Sequence, residues 1–171
     1  GNILEYAVKM LEFDQSCLMD TMLADGLINK AHIKMLAINL AYFHKQKAAD
    51  LASLKTENDF GSIMAVVSPV MENFEQIRPL VNERVALNQL TRIHNWAVAE
   101  SENLRPIFTK RRSAGFIKEC HGDLHLGNIA IIEDEVTFFD CLEFNARLRW
   151  IDTISELAFL LMDLEDKAKP D

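Results

Sequence analysis

Cysteine is scarce and unpaired by spacing. The chain has three, Cys17, Cys120 and Cys141, an odd number with no Cys-x-x-Cys pair. That excludes a disulfide framework and fits reduced thiols in a cytosolic protein. Positive charge is also short, since 18 Lys and Arg against 26 Asp and Glu leave a net charge of −8. A nucleic-acid binder needs a basic face for phosphates, and an anionic membrane attracts the same kind of surface. Both partners are therefore expected to be absent. No apolar run reaches membrane-spanning length, and no secretory signal opens the sequence. A glycine-rich phosphate loop and a Gly-Lys-Ser/Thr motif are missing too, as are internal repeats and low-complexity segments.

What is present suits one ordinary domain with a real core: 171 residues, 49% hydrophobic and 26% charged. The apolar run Ile3 to Met10 follows Gly1-Asn2 at once and reads as a strand. A domain seldom begins inside a buried strand, so the chain is expected to be a fragment of a larger protein. A short helix over 16–23 closes at Asp25-Gly26. Asn29 then offers an N-cap to a longer helix with Ile33, Leu36, Ala37, Leu40, Ala41 and His44 on one stripe. Residues 48–60 turn polar and read as a loop. Ser68-Pro69 reads as the start of the next helix, which restarts at Pro79 and runs towards Glu102; Pro106 to Arg112 reads as another, ended by Gly115.

The pattern then changes. Residues 116–120, 129–132 and 136–139 are strand-like, with a turn at Glu133-Asp134-Glu135. Asp152 is the expected cap of a last helix that turns Ile154, Leu157, Ala158, Leu161 and Leu164 inward. The class expected is α+β and mostly helical, with a small β element where the chemistry sits.

That chemistry lies in His121-Gly-Asp-Leu-His-Leu-Gly-Asn128 and the Phe-Phe-Asp ending at Asp140. Asp123 and Asn128, five positions apart, cannot share a helix face, but a curled loop brings both to one pocket. A carboxylate accepts a proton from an attacking hydroxyl, and an amide oxygen ligates a hard cation such as magnesium. Asp140, at a strand end, offers the same cation a second oxygen. Phosphoryl transfer needs these parts: a group that orients the nucleophile, and oxygen ligands for a metal that neutralises charge. Taken singly, an Asp or Asn in a loop is usually a turn former or a cap.

The His-Gly-Asp…Asn run with its later Asp resembles the catalytic loop of the aminoglycoside phosphotransferase and choline kinase family, a branch of the protein-kinase-like fold. The resemblance implies Asp123 as catalytic base, Asn128 and Asp140 as magnesium ligands, and ATP as donor to a hydroxyl of a small molecule. It also implies that Asp152 braces the catalytic loop. The fuller run from Cys120, with Phe139 to Asn145 and Arg149-Trp-Ile-Asp152, looks closer to a bacterial branch of uncharacterised putative kinases, often fused to a downstream P-loop kinase-like domain. On this resemblance residues 1–15 are a hinge strand and connection, with Glu5, Tyr6 and Ala7 meeting adenine. Residues 16–171 are the helical C-terminal lobe, with catalytic loop 121–128 and metal-binding segment 136–145. The N-terminal lobe that holds the nucleotide is largely missing.

Other residues have two readings. His121 and His125 are metal ligands or, as favoured here because magnesium prefers oxygen, supports for the loop backbone. Glu143 and Asn145 face the acceptor or shape the turn. His44 is expected in the core, with His32 and His94 at the surface. Arg147 and Arg149 are expected to pair with acids, Cys120 and Cys141 to be buried packing, Trp96 and Trp150 core or rim, and Lys110 to Arg112 a solvated helix end. Two rival functions remain: a metal-dependent hydrolase using His121, Asp123, His125 and Asp140, and a catalytically silent interaction module.

Positioning supplies most of the acceleration in phosphoryl transfer, so the 171-residue chain alone is expected to show little or no turnover. A coupled ATPase and kinase assay checks this; a rate typical of kinases overturns it.

Overall fold

The computed structural model describes residues 9, 12–46 and 59–168. The expected strand over 3–10, with Glu5, Tyr6 and Ala7, lies outside the described residues except for Lys9, as does most of the loop expected over 48–60. The class is α+β and mostly helical, as expected. A 3-10 turn at Gln15–Cys17 leads into α1, Met19–Ala24. Helix α2, Lys30–Gln46, starts where Asn29 Oδ1 accepts from the backbone N–H groups of Ala31 (2.8 Å) and His32 (3.1 Å), the cap read from the sequence. Of its stripe, Leu36 and Leu40 are buried, whereas Ile33, Ala37 and Ala41 are exposed.

Helix α3, Ile63–Ile77, begins nearly two turns earlier than expected. Ser62, not Ser68, is its cap, with Oγ accepting from Ala65 N at 3.0 Å. Pro69 therefore lies inside the helix. It forgoes the bond to the Ala65 carbonyl, yet the apolar residues Ile63, Met64, Val66 and Val67 extend the helical pattern upstream of it. A 3-10 turn at Arg78–Leu80 breaks the chain, and α4 runs without interruption over Arg84–Ser113. Two helices were expected there. Pro106 is inside α4, and the turn it weakens carries a bidentate Arg105–Glu102 contact at 2.9 and 2.7 Å.

Strand β1, Ile117–Glu119, does not join the hairpin that follows it. It pairs antiparallel with a strand too short to show a period in the sequence, β4, Trp150–Asp152. The hairpin is β2, Ile129–Ile132, with β3, Glu135–Phe138; its turn residues Glu133 and Asp134 have φ of 51° and 63°, the positive pair that a two-residue turn uses to match strand twist. A single helical turn, α5, Ala146–Arg149, precedes β4, and α6, Thr153–Ala168, follows it.

The main core gathers Met19, Leu36, Leu40, Leu124, Leu126, Ile129, Ile131 and Leu160 under the hairpin. A second cluster joins Phe60, Ile117 and Trp150, with the rings of Phe60 and Trp150 stacked at 5.9 Å between centroids. Trp96 is exposed. On α6 the buried residues are Glu156 and Leu160, while Ile154, Ala158 and Leu161 face outward. Leu157 and Leu164 do pack against the core, as expected, but counting only apolar residues missed that the inner face also carries a carboxylate.

The basic run at the end of α4 is solvated at Lys110 and Arg112, as expected, but not at Arg111. Arg111 makes two bonds to Asp152, at 2.7 and 2.8 Å, and Arg112 Nε donates to the Phe60 carbonyl at 3.0 Å. Asp152 Oδ1 also accepts from Ile154 N at 3.0 Å, so this residue both caps α6 and ties it to α4. The bonds to Asp152 hold the Arg111 guanidinium above its ordinary pKa, so it stays charged. Replacing Arg111 with Ala leaves a carboxylate with only 8% of its side chain exposed and no counter-ion. The expected cost is about 3 kcal/mol in urea-induced unfolding.

Candidate catalytic loop and its anchors

The segment 121–129 is set by alternation. Leu124, Leu126 and Ile129 are 1%, 0% and 0% exposed and plug the loop into the main core, each contributing about 2 kcal/mol of burial. With the leucines turned in, Asp123, at 43% side-chain exposure, turns out. Gly122 precedes it at φ +87°, where a Cβ would sit 2.9 Å from the Leu148 carbonyl oxygen, so only glycine fits this approach.

Asn128 is buried, and its Nδ2 donates to the Asp123 carbonyl at 3.0 Å. This bond ties the two ends of the loop together. Oδ1 of Asn128 has no partner among the described residues. The hairpin closes against both ends. Phe139 N donates to Asn128 O at 3.2 Å, Leu142 N donates to His121 O at 3.0 Å, and His121 Nε2 donates to Phe139 O at 2.7 Å. Asp140 lies between these ties, exposed, with φ +59°, and its carboxylate has no protein partner among the described residues. A left-handed aspartate is uncommon and is held only where neighbours fix it.

The supports differ in part from expectation. His121 is 2% exposed, and with Nε2 donating, its Nδ1 faces Asp123 N at 3.4 Å, so both ring nitrogens serve backbone groups. His125 Nδ1 accepts from Gly127 N at 3.1 Å and its Nε2 lies 3.8 Å from Asp123 Oδ2. Asp152 was expected to brace the loop, but its bonds go to Arg111 and Ile154. The brace is Glu156, one turn further along α6. Its Oε1 accepts from His121 N at 2.5 Å and Gly122 N at 3.0 Å, and Oε2 meets His44 Nε2 at 2.5 Å. His44 is thus the core histidine expected, with a partner the sequence did not reveal. Asp163, also on α6, accepts from Leu126 N at 2.8 Å. Glu156 and Asp163 were missed because acids on a C-terminal helix read as its wet face.

Beyond Asp140, Asn145 is the cap of α5, accepting from Arg147 N at 3.0 Å, which is its turn-shaping reading. Glu143 is exposed and lines a cleft of 320 Å³ with His121, Phe138 and Cys141. Arg149 pairs with Glu119 at 2.9 Å, as expected of an arginine in an acidic chain, and donates to the Leu142 and Glu143 carbonyls. Cys141 is exposed rather than buried; it follows a left-handed residue that swings the chain outward. Cys120 is buried, and burial next to Glu156 and Asp152 pushes its thiol far up, so it stays protonated.

The Asn128 amide oxygen and the Asp140 carboxylate, neither with a partner among the described residues, are the oxygen types a hard cation takes. The donors of His44, Cys120 and Glu156 also lie within 4.8 Å of one another. Their 2.5 Å histidine–carboxylate spacing is that of a hydrogen bond, shorter than the ~3.3 Å that separates two ligands on one zinc ion.

Glu156→Ala leaves two loop N–H groups and His44 without their acceptor, with an expected loss of roughly 3 kcal/mol. Glu156→Gln keeps one oxygen for the two N–H groups and is expected to lose less than half of that. Denaturant unfolding of both variants measures the difference; equal losses overturn the assignment.

Uncharacterised proteins of Mycobacterium bovis and of two strains of Mycobacterium tuberculosis are each 29% identical to this chain over all 171 residues. The chain spans 34% of the length of each of these curated relatives. No family model matches it, and no solved structure matches it.

Proposed function

We propose that the chain is the catalytic lobe of an ATP- and magnesium-dependent phosphotransferase acting on a hydroxyl of a small molecule, of the aminoglycoside phosphotransferase kind. One observation carries the reading. A loop plugged into the core presents Asp123, joins it to Asn128 through the 3.0 Å bond, and is tied at both ends to the segment bearing Asp140. A structural turn does not need two oxygen-bearing side chains left without partners among the described residues beside a partly exposed carboxylate.

In this mechanism Asp123 accepts the hydroxyl proton and orients the oxygen for attack. Its exposure gives an acceptor access, and His125 Nε2 at 3.8 Å restrains the carboxylate. Asn128 Oδ1 and the Asp140 carboxylate would hold magnesium, which neutralises the charge on the transferred phosphoryl group. His121 supports the loop by fixing Phe139 next to Asp140. Glu143, on the adjacent cleft, is the proposed acceptor-side carboxylate. The hinge at Glu5, Tyr6 and Ala7, a preceding nucleotide-holding lobe and a downstream P-loop domain belong to the same proposal. The hydrolase reading gains nothing from His121, whose two nitrogens are already engaged.

In the full-length protein, Asp123→Asn is expected to lower turnover roughly a thousandfold, with the melting temperature kept. Asp140→Ala is expected to raise the magnesium requirement instead. Steady-state kinetics over a magnesium series, paired with melting curves, checks both; an unchanged rate in Asp123→Asn ends the proposal.

A further inference from the structure

We propose that Asp163 is a positioning residue that sets the Asn128 end of the loop. Its chemical meaning rests on the phosphotransferase reading; its existence rests on hydrogen bonds alone. Helix α6 reaches the loop with two carboxylates seven residues apart, which is two turns, or ~10 Å along one face. Glu156 holds His121 N and Gly122 N, just before Asp123. Asp163 holds Leu126 N, between Asp123 and Asn128. One rigid element therefore spans the loop at two points.

The second point is a specific need of the turn Leu126–Asn128. The first N–H groups of any helical turn lack internal partners. Here Gly127 N donates to His125 Nδ1 and Asn128 N donates to the His125 carbonyl at 2.9 Å, so both find partners within the loop. Leu126 N does not. Its residue is 0% exposed, which leaves water a poor substitute for Asp163. Asp163 is itself held. Lys167, one turn on, lies 3.5 Å from it and 3.9 Å from Asp20 on α1. The Asp20 carboxylate lies beside Gly127. Freed from Asp163, the turn can rotate about its plugged leucine, and the metal-facing amide of Asn128 rotates with it.

The test compares Asp163→Asn with Asp163→Leu in the 171-residue chain, two side chains of similar shape of which only the first accepts a hydrogen bond. Amide hydrogen exchange by NMR should show Leu126 and Asn128 opening about tenfold faster in Asp163→Leu, with His121 and Gly122 unchanged and Asp163→Asn close to wild type. Titration of the full-length protein with Mn2+ and ATP, read as broadening of the Asn128 side-chain amide, should need about tenfold more Mn2+ in Asp163→Leu. A merely structural contact moves the exchange but not the Mn2+ titration, and that result overturns the positioning role. Leu126 exchanging equally slowly in both variants overturns it as well. If Asp163→Leu does not fold, Lys167→Gln takes its place, expected to speed Leu126 exchange and raise the Mn2+ requirement together by about two- to threefold; a Mn2+ requirement that stays put while Leu126 opens, or no change in either, overturns the proposal. Full-length wild type that binds no Mn2+–ATP at all sinks the phosphotransferase reading, while the exchange contrast still decides whether Asp163 holds the turn.

Discussion

A single carboxylate, that of Glu156, organises the centre of this structure. A charge taken out of water is costly unless donors replace the lost solvent. Here three do so: two consecutive backbone N–H groups of the loop and a histidine from α2. The donors also constrain one another. The backbone pair admits one conformation before Asp123, and His44 fixes the height of α6 against α2. Without that oxygen pair the glycine turn, the core leucines and the hairpin would have no common reference point.

Around this anchor the loop buries Leu124 and Leu126. Asp123 before them is partly exposed, and Asn128 after them is buried. Gly122 bends this stretch into a curl, so that a carbonyl at 123 meets an amide at 128. The hairpin contributes its own end, where the last residues of β3 cross back beneath the loop and the left-handed Asp140 turns the chain away. Proximity of the segments bearing these three polar residues thus follows from backbone bonding that involves none of their side-chain oxygens.

The sequence disclosed the parts with strong local grammar. Asn29 as a cap, the β2–β3 hairpin and the inward Leu36 and Leu40 of α2 follow from short-range rules, and the structure has them. It disclosed less where a rule was outweighed by context. Ser68-Pro69 and Pro106 look like helix boundaries, but proline is only a local penalty and the flanking apolar pattern extends past it. The pairing of β1 with β4 joins residues more than thirty positions apart and leaves no local trace. Glu156 and Asp163 escaped notice for a physical reason: a periodicity argument treats every acid as outward-facing. The better signal was the misfit itself, since α6 has apolar residues on all sides and no rotation buries them all.

The two leucines have a further consequence. In many proteins a binding loop is an appendage whose order or disorder leaves the body untouched. Here the loop cannot leave its place without uncovering the core that Leu124 and Leu126 fill, so on the proposed reading recognition and folding would draw on one reservoir of free energy. Any compound that grips the loop should therefore announce itself as heat resistance of the entire domain, which makes a simple melting screen a direct way to search for what this protein holds.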